Sequence, residues 1–235
     1  MFHIFSPGNL FLFLNRISKS IKLIIIPLIV VSLILALFIS PKDYIQGDSV
    51  RIMYVHVPSS WIALACFSFI SFLTILNFLL RLKNALIIYK SIAPIGLIFC
   101  LISIVTGSLW GQPTWGTFWA WDARLTSMLV LLFFYILFIY SYKFVKDQNQ
   151  SLKICSIISI LGLMNLFIIK YSVDFWSTLH QPSSVKIFGK TSIHTSMMLP
   201  LTSMLLVFLV YCALIFLMKY RTEIIRMKRK GLKRL

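Results

Sequence analysis

Six long runs of apolar residues, separated by short polar segments, organise the chain. The hydrocarbon core of a bilayer is about 30 Å thick, and about 20 residues of helix cross it. The runs that come close to this length are at roughly 23–40, 58–80, 86–109, 125–142, 152–170 and 197–218. We therefore predict an all-α membrane protein with six transmembrane helices, which form a single domain over residues 1–235.

The composition agrees with a membrane protein. Hydrophobic residues make up 59% of the chain, whereas soluble domains contain about 45–50%, and the mean hydropathy is +0.91. The first apolar run, about 17–18 residues long, exceeds the roughly 7–15 apolar residues of a signal peptide, so we expect it to remain as a span. The four cysteines lie in apolar runs without a C-x-x-C pair, which favours packing over redox or zinc chemistry.

Basic residues indicate how the six spans are oriented. Six spans place both termini on one side of the membrane, and 17 of the 23 lysines and arginines fall on that side. The remaining six are Lys42, Arg51, Arg124, Lys170, Lys186 and Lys190. Because basic residues concentrate in cytoplasmic segments, we predict cytoplasmic termini. The net charge of +17 then reflects topology rather than nucleic acid, and the basic segment after residue 218 is expected to contact anionic lipid or a cytoplasmic partner.

Residues 110–127, which we call the tryptophan segment, lie between the third and fourth runs. The large aromatic residues of this segment are Trp110, Trp115, Phe118, Trp119 and Trp121. The segment is too apolar for a solvated loop and too rich in glycine and proline for a membrane-spanning helix. All six tryptophans of the chain fall at the predicted outer side, whereas an interfacial aromatic belt would occupy both sides. This asymmetry indicates a binding surface for a large, flat, apolar ligand.

A short helix within the tryptophan segment would bring several of these side chains onto one face. If residues 115–122 were helical, one face would carry Trp115, Phe118, Trp119 and Asp122. Trp121 would then point elsewhere. Asp122 would contact the ligand, cap the helix or orient a neighbouring residue.

Histidines at the predicted outer side suggest what the ligand is. These are His56, His180 and His194, while His3 lies at the cytoplasmic terminus. Imidazole is a common metal ligand, but without an H-E-x-x-H motif or a suitably spaced carboxylate a zinc site is weakly supported. Haem accounts for both features, because the tryptophans would contact the porphyrin and one or two histidines would bind the iron. Arg51 and Arg124 are outer-side bases that suit the propionates.

Four blocks of sequence resemble known haem-handling proteins. The run Trp-Gly-Thr-Phe-Trp-Ala-Trp-Asp-Ala-Arg-Leu-Thr-Ser, residues 115–127, resembles their tryptophan-rich WWD signature. The runs 51–58, 105–113 and 175–182 resemble the cytochrome c maturation protein C (CcmC) family in particular. The blocks occur in order on one topology, and the similarity covers most of residues 50–200. Phe118 stands at a motif position where other members often have tryptophan.

This resemblance implies a site on the periplasmic side of a bacterial inner membrane, or in a mitochondrial inner membrane. It implies that His56 and His180 are the axial ligands of haem b, which is held transiently and without a covalent bond. The implied partners are the haem chaperone CcmE, the small protein CcmD and the transporter subunits CcmA and CcmB. His194 is either a local structural residue or part of the site wall. With no nucleophile–base arrangement in the sequence, we predict a binding and presentation role rather than an enzyme.

Three other functions remain open from the sequence. The protein could be another WWD-type component that attaches haem to cytochrome c, although such proteins are usually larger and have more spans. It could be a scaffold subunit of a transporter complex, in which case the purified protein would be colourless. It could also be a quinone-linked redox subunit, which would show reversible redox chemistry coupled to quinol.

Overall fold

The computed structural model describes residues 7–80, 85–180 and 193–232. Its helices are α1 (Pro7–Ile34), α2 (Met53–Leu80), α3 (Ala85–Trp115), α4 (Ala123–Phe144), α5 (Gln148–Phe175) and α6 (Thr195–Leu232). A π-helical turn, Leu35–Ile39, continues α1, and a 3-10 turn, Asp48–Ile52, leads into α2. The described residues contain no strand beyond an isolated bridge between Asp43 and Gly47.

The six predicted spans are confirmed as six helices that are long and apolar enough to cross a membrane. The helices extend beyond the apolar runs, most of all α6, which continues through the basic segment for a total of 38 residues. Several residues used for the orientation and motif predictions lie outside the described residues: His3, Arg81, Lys83, Gln181, Pro182, Lys186, Lys190, Lys233 and Arg234.

The first part of the tryptophan segment is helical, which corrects the expectation that its glycine and proline content would exclude it from a membrane-spanning helix. α3 continues through Gly111 and Pro113 to Trp115. Proline removes one backbone donor, and hydroxyl side chains can satisfy backbone groups around it. Next to Pro113, Thr114 Oγ1 donates to the carbonyl of Trp110 at 2.6 Å.

The helix considered for residues 115–122 is wrong. α3 ends at Trp115, and Gly116 has a φ of 74°, which glycine adopts without the steric cost that a side chain would bring. The chain then runs without helix until Asp122, whose Oδ1 accepts from the backbone N–H of Leu125 at 2.8 Å. Asp122 is therefore the N-cap of α4, the position at which aspartate is most favoured.

Helices α2 and α3 pack against each other, as do α4 and α5, and α6 contacts both α2 and α3. α1 packs on α6 at the edge of this arrangement. Two glycines allow close helix contacts, because a Cβ on Gly96 would overlap the Tyr135 ring and one on Gly162 would overlap the Phe67 ring. Small residues serve this purpose in membrane helices, where close backbone approach replaces the hydrophobic driving force.

The buried polar side chains are also mostly small. Fourteen polar side chains are buried among the described residues, and twelve of them are serines. Many donate to a carbonyl one turn earlier in their own helix, as Ser71 does to Phe67 while also donating to Ser159 of α5. Most of these small hydroxyl groups thus find hydrogen-bond partners within the bundle, either in their own helix or, as for Ser71, in a neighbouring one.

Candidate functional site

Three interhelical connections meet at one end of the bundle, which we call the histidine end. The α1–α2 connection contacts α3 through a 2.9 Å hydrogen bond from Trp110 Nε1 to Gln46 Oε1. The α5–α6 connection contacts the tryptophan segment through a 3.2 Å hydrogen bond from Leu179 N to Asp122 Oδ2. The structure thereby brings together segments that are separated by more than a hundred residues in the sequence.

His56 lies in the first turn of α2, and α3 fixes its orientation. Its Nδ1 is 2.9 Å from the carbonyl oxygen of Ser103 and 3.2 Å from Thr106 Oγ1. A carbonyl can only accept, so Nδ1 carries the proton in this arrangement and Nε2 keeps its lone pair. A hydrogen bond of this kind orients an imidazole whose other nitrogen binds a metal.

Close packing beneath the ring adds to this orientation. A Cβ on Gly107 would lie 2.8 Å from Cε1 of His56, a separation that real Cβ atoms essentially never show. Glycine at this position of α3 therefore leaves the space that the imidazole occupies. Trp110, one turn further along α3, meets the His56 ring edge-on, with the ring centroids 5.8 Å apart and the planes at 70°.

His180 lies next to His56, although it belongs to the α5–α6 connection. The centroids of the two imidazole rings are 6.5 Å apart, and their planes are inclined by 35°. The Trp115 ring also contacts His180, with the two ring centroids 6.0 Å apart. The hydroxyl of Thr178 accepts from the His180 N–H at 3.0 Å and donates to its carbonyl at 3.1 Å, which sets the local backbone.

The separation of the two imidazoles suits a shared metal ion. A metal–imidazole bond of about 2 Å and a ring radius of about 1 Å put the centroids of two opposed imidazoles about 6 Å apart. The observed 6.5 Å meets this condition, and the free nitrogen of His56 is the one that the Ser103 contact leaves available. This separation is therefore compatible with two imidazoles on one metal ion.

The remaining aromatic residues of the tryptophan segment are Phe118, Trp119 and Trp121. Trp119 and Trp121 meet edge-on at a centroid distance of 5.6 Å. Thr117 shapes this turn in the same way that Thr178 shapes the other, because its hydroxyl contacts both the N–H and the carbonyl of Trp119. Trp121 is 78% exposed and Phe118 is 56% exposed, so this group presents a large apolar surface.

Three residues predicted for the site carry hydrogen-bond donors that an anionic ligand would use. Among the described residues, Trp119 Nε1 and Arg51 Nε are buried without a hydrogen-bond acceptor, which is costly unless a ligand supplies one. Arg51 uses Nη1 in an ion pair with Asp48 at 3.2 Å. Arg124, in the first turn of α4, is close enough to His56 for its charge to act on the imidazole. These groups suit carboxylates at the edge of a flat ligand.

The sequence interpretation assigned no role to several residues that shape the site. Ser103, Thr106 and Gly107 precede Trp110 by seven, four and three positions, so one face of α3 carries all four. Polar and small residues at that spacing in an apolar helix were the available signal. Gln46 lacked any such signal, since its partner lies 64 residues away.

The third histidine at this end lies at a different place. His194 is exposed. Its Nδ1 accepts a hydrogen bond from the backbone N–H of Ser196 and lies 2.7 Å from the hydroxyl of the same residue. It lines a cavity of about 290 Å³ together with Lys42, Asp43 and Tyr44 of the α1–α2 connection. His194 thus packs beside the first connection, whereas His56 and His180 lie next to each other.

Comparison with known protein families gives a match along nearly the entire chain. The family model described as heme exporter protein C, CcmC, matches residues 1–234. The chain belongs to the heme exporter protein C family.

Relatives of this family come from bacteria and from plant mitochondria. Heme exporter protein C of Bradyrhizobium diazoefficiens is 38% identical over 194 residues, which cover 83% of this chain and 74% of the relative. The Haemophilus influenzae protein of the same name is 34% identical over 220 residues, or 94% and 89% of the two chains. A putative cytochrome c biosynthesis ccmC-like mitochondrial protein of Marchantia polymorpha is 42% identical over 183 residues, or 78% and 75%.

Proposed function

We propose that this protein holds haem at the histidine end, on the periplasmic side of the inner membrane, and presents it to the haem chaperone CcmE. Membership of the heme exporter protein C family supports a haem-handling role in cytochrome c biogenesis. The observation that carries the proposal for the site is the adjacent pair His56 and His180, with centroids 6.5 Å apart.

The two imidazoles are proposed as axial ligands of non-covalently bound haem b. Bound haem would have both axial positions of its iron occupied, which limits reaction with oxygen. Ser103 and Thr106 hold His56 with Nδ1 protonated, which leaves the lone pair of Nε2 for the ligand. The Thr178 turn sets the backbone of His180. Each ligand thus has an identified group that orients it.

The edge of the haem is proposed to lie against the donors that have no acceptor within the protein. Arg51 Nε and Trp119 Nε1 are such donors among the described residues, and Arg124 adds positive charge close to His56. Propionate carboxylates are the groups of haem that these donors fit. Trp110 and Trp115, which contact the histidine rings, are proposed to pack on the porphyrin.

Presentation requires that part of the ligand stays open to another protein. Phe118 and Trp121 are the exposed aromatic residues of the site, and we propose that they form the surface where CcmE approaches. One axial ligand would be released when the chaperone docks. Family membership also supports the proposal that the protein works with CcmD and the transporter subunits CcmA and CcmB.

An absorption spectrum of the purified protein tests the site. Wild-type protein from haem-replete cells is expected to show a Soret band typical of six-coordinate haem with two imidazoles. His56→Ala and His180→Ala are each expected to lose haem or to change this spectrum, because each variant leaves only one imidazole on the iron. His194→Ala is the matched control, since His194 contacts Ser196 instead of the histidine pair.

The outcomes separate the proposal from its alternatives. Colourless wild-type protein would contradict haem binding and favour a scaffold subunit. Haem content and spectrum unchanged in both His56→Ala and His180→Ala would contradict the ligand assignment. Loss of haem in His194→Ala alone would move the site to the α1–α2 side of the bundle.

A further inference from the structure

One side chain contacts both the tryptophan segment and the segment that carries His180. The carboxylate of Asp122 accepts two backbone hydrogen bonds, one on each oxygen. Oδ1 accepts from Leu125 at 2.8 Å and caps α4, while Oδ2 accepts from Leu179 at 3.2 Å. Leu179 immediately precedes His180, so the second bond fixes the peptide unit next to the ligand.

Both oxygens are engaged by backbone donors, which argues for a positioning role over direct contact with haem. A carboxylate has enough acceptor sites for both bonds at once, and bonds to a charged acceptor are stronger than neutral ones. The partners belong to elements far apart in the sequence, since Asp122 and Leu179 are separated by 57 positions. The bond from Leu179 to Asp122 therefore forms only when the two elements come together in the folded protein.

A second support of the His180 backbone is local. Thr178 Oγ1 bonds the N–H and carbonyl of His180, which shapes the turn but does not place the turn relative to the bundle. His56, by contrast, is already placed by its helix and by Ser103. Among the bonds described above, the one from Leu179 to Asp122 ties the His180 turn to another element.

We propose that Asp122 is a positioning residue, which sets the distance between His180 and His56 by holding the Leu179 peptide against the first turn of α4. This inference rests on the proposed function, because it assigns the purpose of that distance to the haem ligand pair.

Substitution with serine separates the two bonds of Asp122. Serine caps a helix about as well as aspartate, but its single, shorter hydroxyl cannot also accept from Leu179. Asp122→Asn is a second variant, whose amide has one acceptor oxygen for two donors. Asp147→Ser is the matched control, since Asp147 caps α5 by accepting from Asn149 at 2.9 Å.

The first measurement is the haem spectrum and haem retention of detergent-purified protein. Asp122→Ser is expected to shift the spectrum toward that of His180→Ala and to lower haem affinity about tenfold, as for loss of one charge-assisted hydrogen bond. The double variant Asp122→Ser with His180→Ala is expected to match His180→Ala alone, because the position of a missing ligand no longer matters. Asp147→Ser is expected to behave as wild type.

The second measurement is hydrogen exchange in haem-free protein, which does not depend on ligand binding. The backbone amide of Leu179 is expected to exchange faster in Asp122→Ser than in wild type or in Asp147→Ser. A wild-type spectrum in Asp122→Ser would overturn the inference, as would unchanged exchange at Leu179 or additive losses in the double variant. If wild-type protein binds no haem, the proposed function fails, whereas the exchange result still decides whether Asp122 holds this segment.

Discussion

At the scale of single residues, the site depends on what is absent beside His56 as much as on what contacts it. Gly107 leaves the space for the imidazole, and a Cβ there would lie 2.8 Å from Cε1. The ring cannot move away without losing its 2.9 Å contact with the Ser103 carbonyl. Adding a single methyl group at position 107 of α3 is therefore expected to disturb His56 on α2.

Gly107→Ala is expected to reproduce the spectral change of His56→Ala, because the added methyl group displaces the ring from Ser103. Glycine to alanine in a helix is otherwise favourable by about 1 kcal/mol, so the bundle should stay folded. Val105→Ala is the control on the same helix, since Val105 is 55% exposed. The measurement is the Soret spectrum of purified protein, and a spectrum identical to wild type in Gly107→Ala would show that the ring does not need this space.

At the scale of the helices, the bundle depends on specific polar contacts between close-packed surfaces. Tyr135 of α4 is fully buried, packs against Gly96 of α3 and donates from its hydroxyl to the carbonyl of Ala63 in α2 at 2.6 Å. One residue thus contacts both neighbouring helices. Its hydroxyl lies where water cannot replace the partner.

Tyr135→Phe is expected to lower the free energy of unfolding by about 1 kcal/mol, within the range found for hydrogen bonds between membrane helices. Tyr140→Phe, on the same helix, should have little effect because Tyr140 is 57% exposed. Equilibrium unfolding in detergent measures both variants. Equal stability of Tyr135→Phe and wild type would mean that the bond makes no net contribution.

The apolar runs in the sequence were sufficient to predict the number of helices and their approximate positions, since each run of about 20 residues has one stable conformation in lipid. They could not predict the end of α3. The backbone turn at Gly116 and the cap at Asp122 interrupt the helical face that residue spacing predicted over 115–122. An Asp followed by an apolar run was the available sign of a cap.

Contacts between segments that are distant in the sequence could not be predicted either. Histidine and tryptophan content pointed to the residues of the candidate site, and His56 and His180 do lie together. Their supports do not follow from one sequence, because the Gln46–Trp110 and Asp122–Leu179 bonds depend on how the helices pack. Periodicity defines the face of a helix but not its neighbour.

At the scale of the whole molecule, the two ends of the bundle differ in chemistry. The histidine end carries aromatic and histidine side chains, whereas α6 extends at the opposite end through exposed basic residues that include Arg226, Lys228 and Arg229. Glu223 joins this extension to α3 through an ion pair with Lys90 at 4.0 Å. The distribution of basic residues predicts that this second end faces the cytoplasm.

Cysteine labelling in intact cells tests this orientation. Tyr44→Cys places a thiol on a fully exposed residue at the histidine end, and a membrane-impermeant maleimide added outside is expected to label it. Lys228→Cys should react only after the cells are permeabilised. Wild-type protein is the control, because three of its four cysteines are buried and Cys212 is half-buried. The opposite labelling pattern would invert the predicted topology.

The two histidines differ in how the chain holds them, and this difference bears on the order in which a ligand would leave. Moving His56 away from its partner requires unwinding the first turn of a 28-residue helix and breaking its contact with Ser103. His180 lies outside any helix, and the contacts of its backbone include the Thr178 turn and, through the neighbouring Leu179, the bond to Asp122. If a docking protein competes for the Leu179–Asp122 bond, we therefore expect His180 to be released before His56.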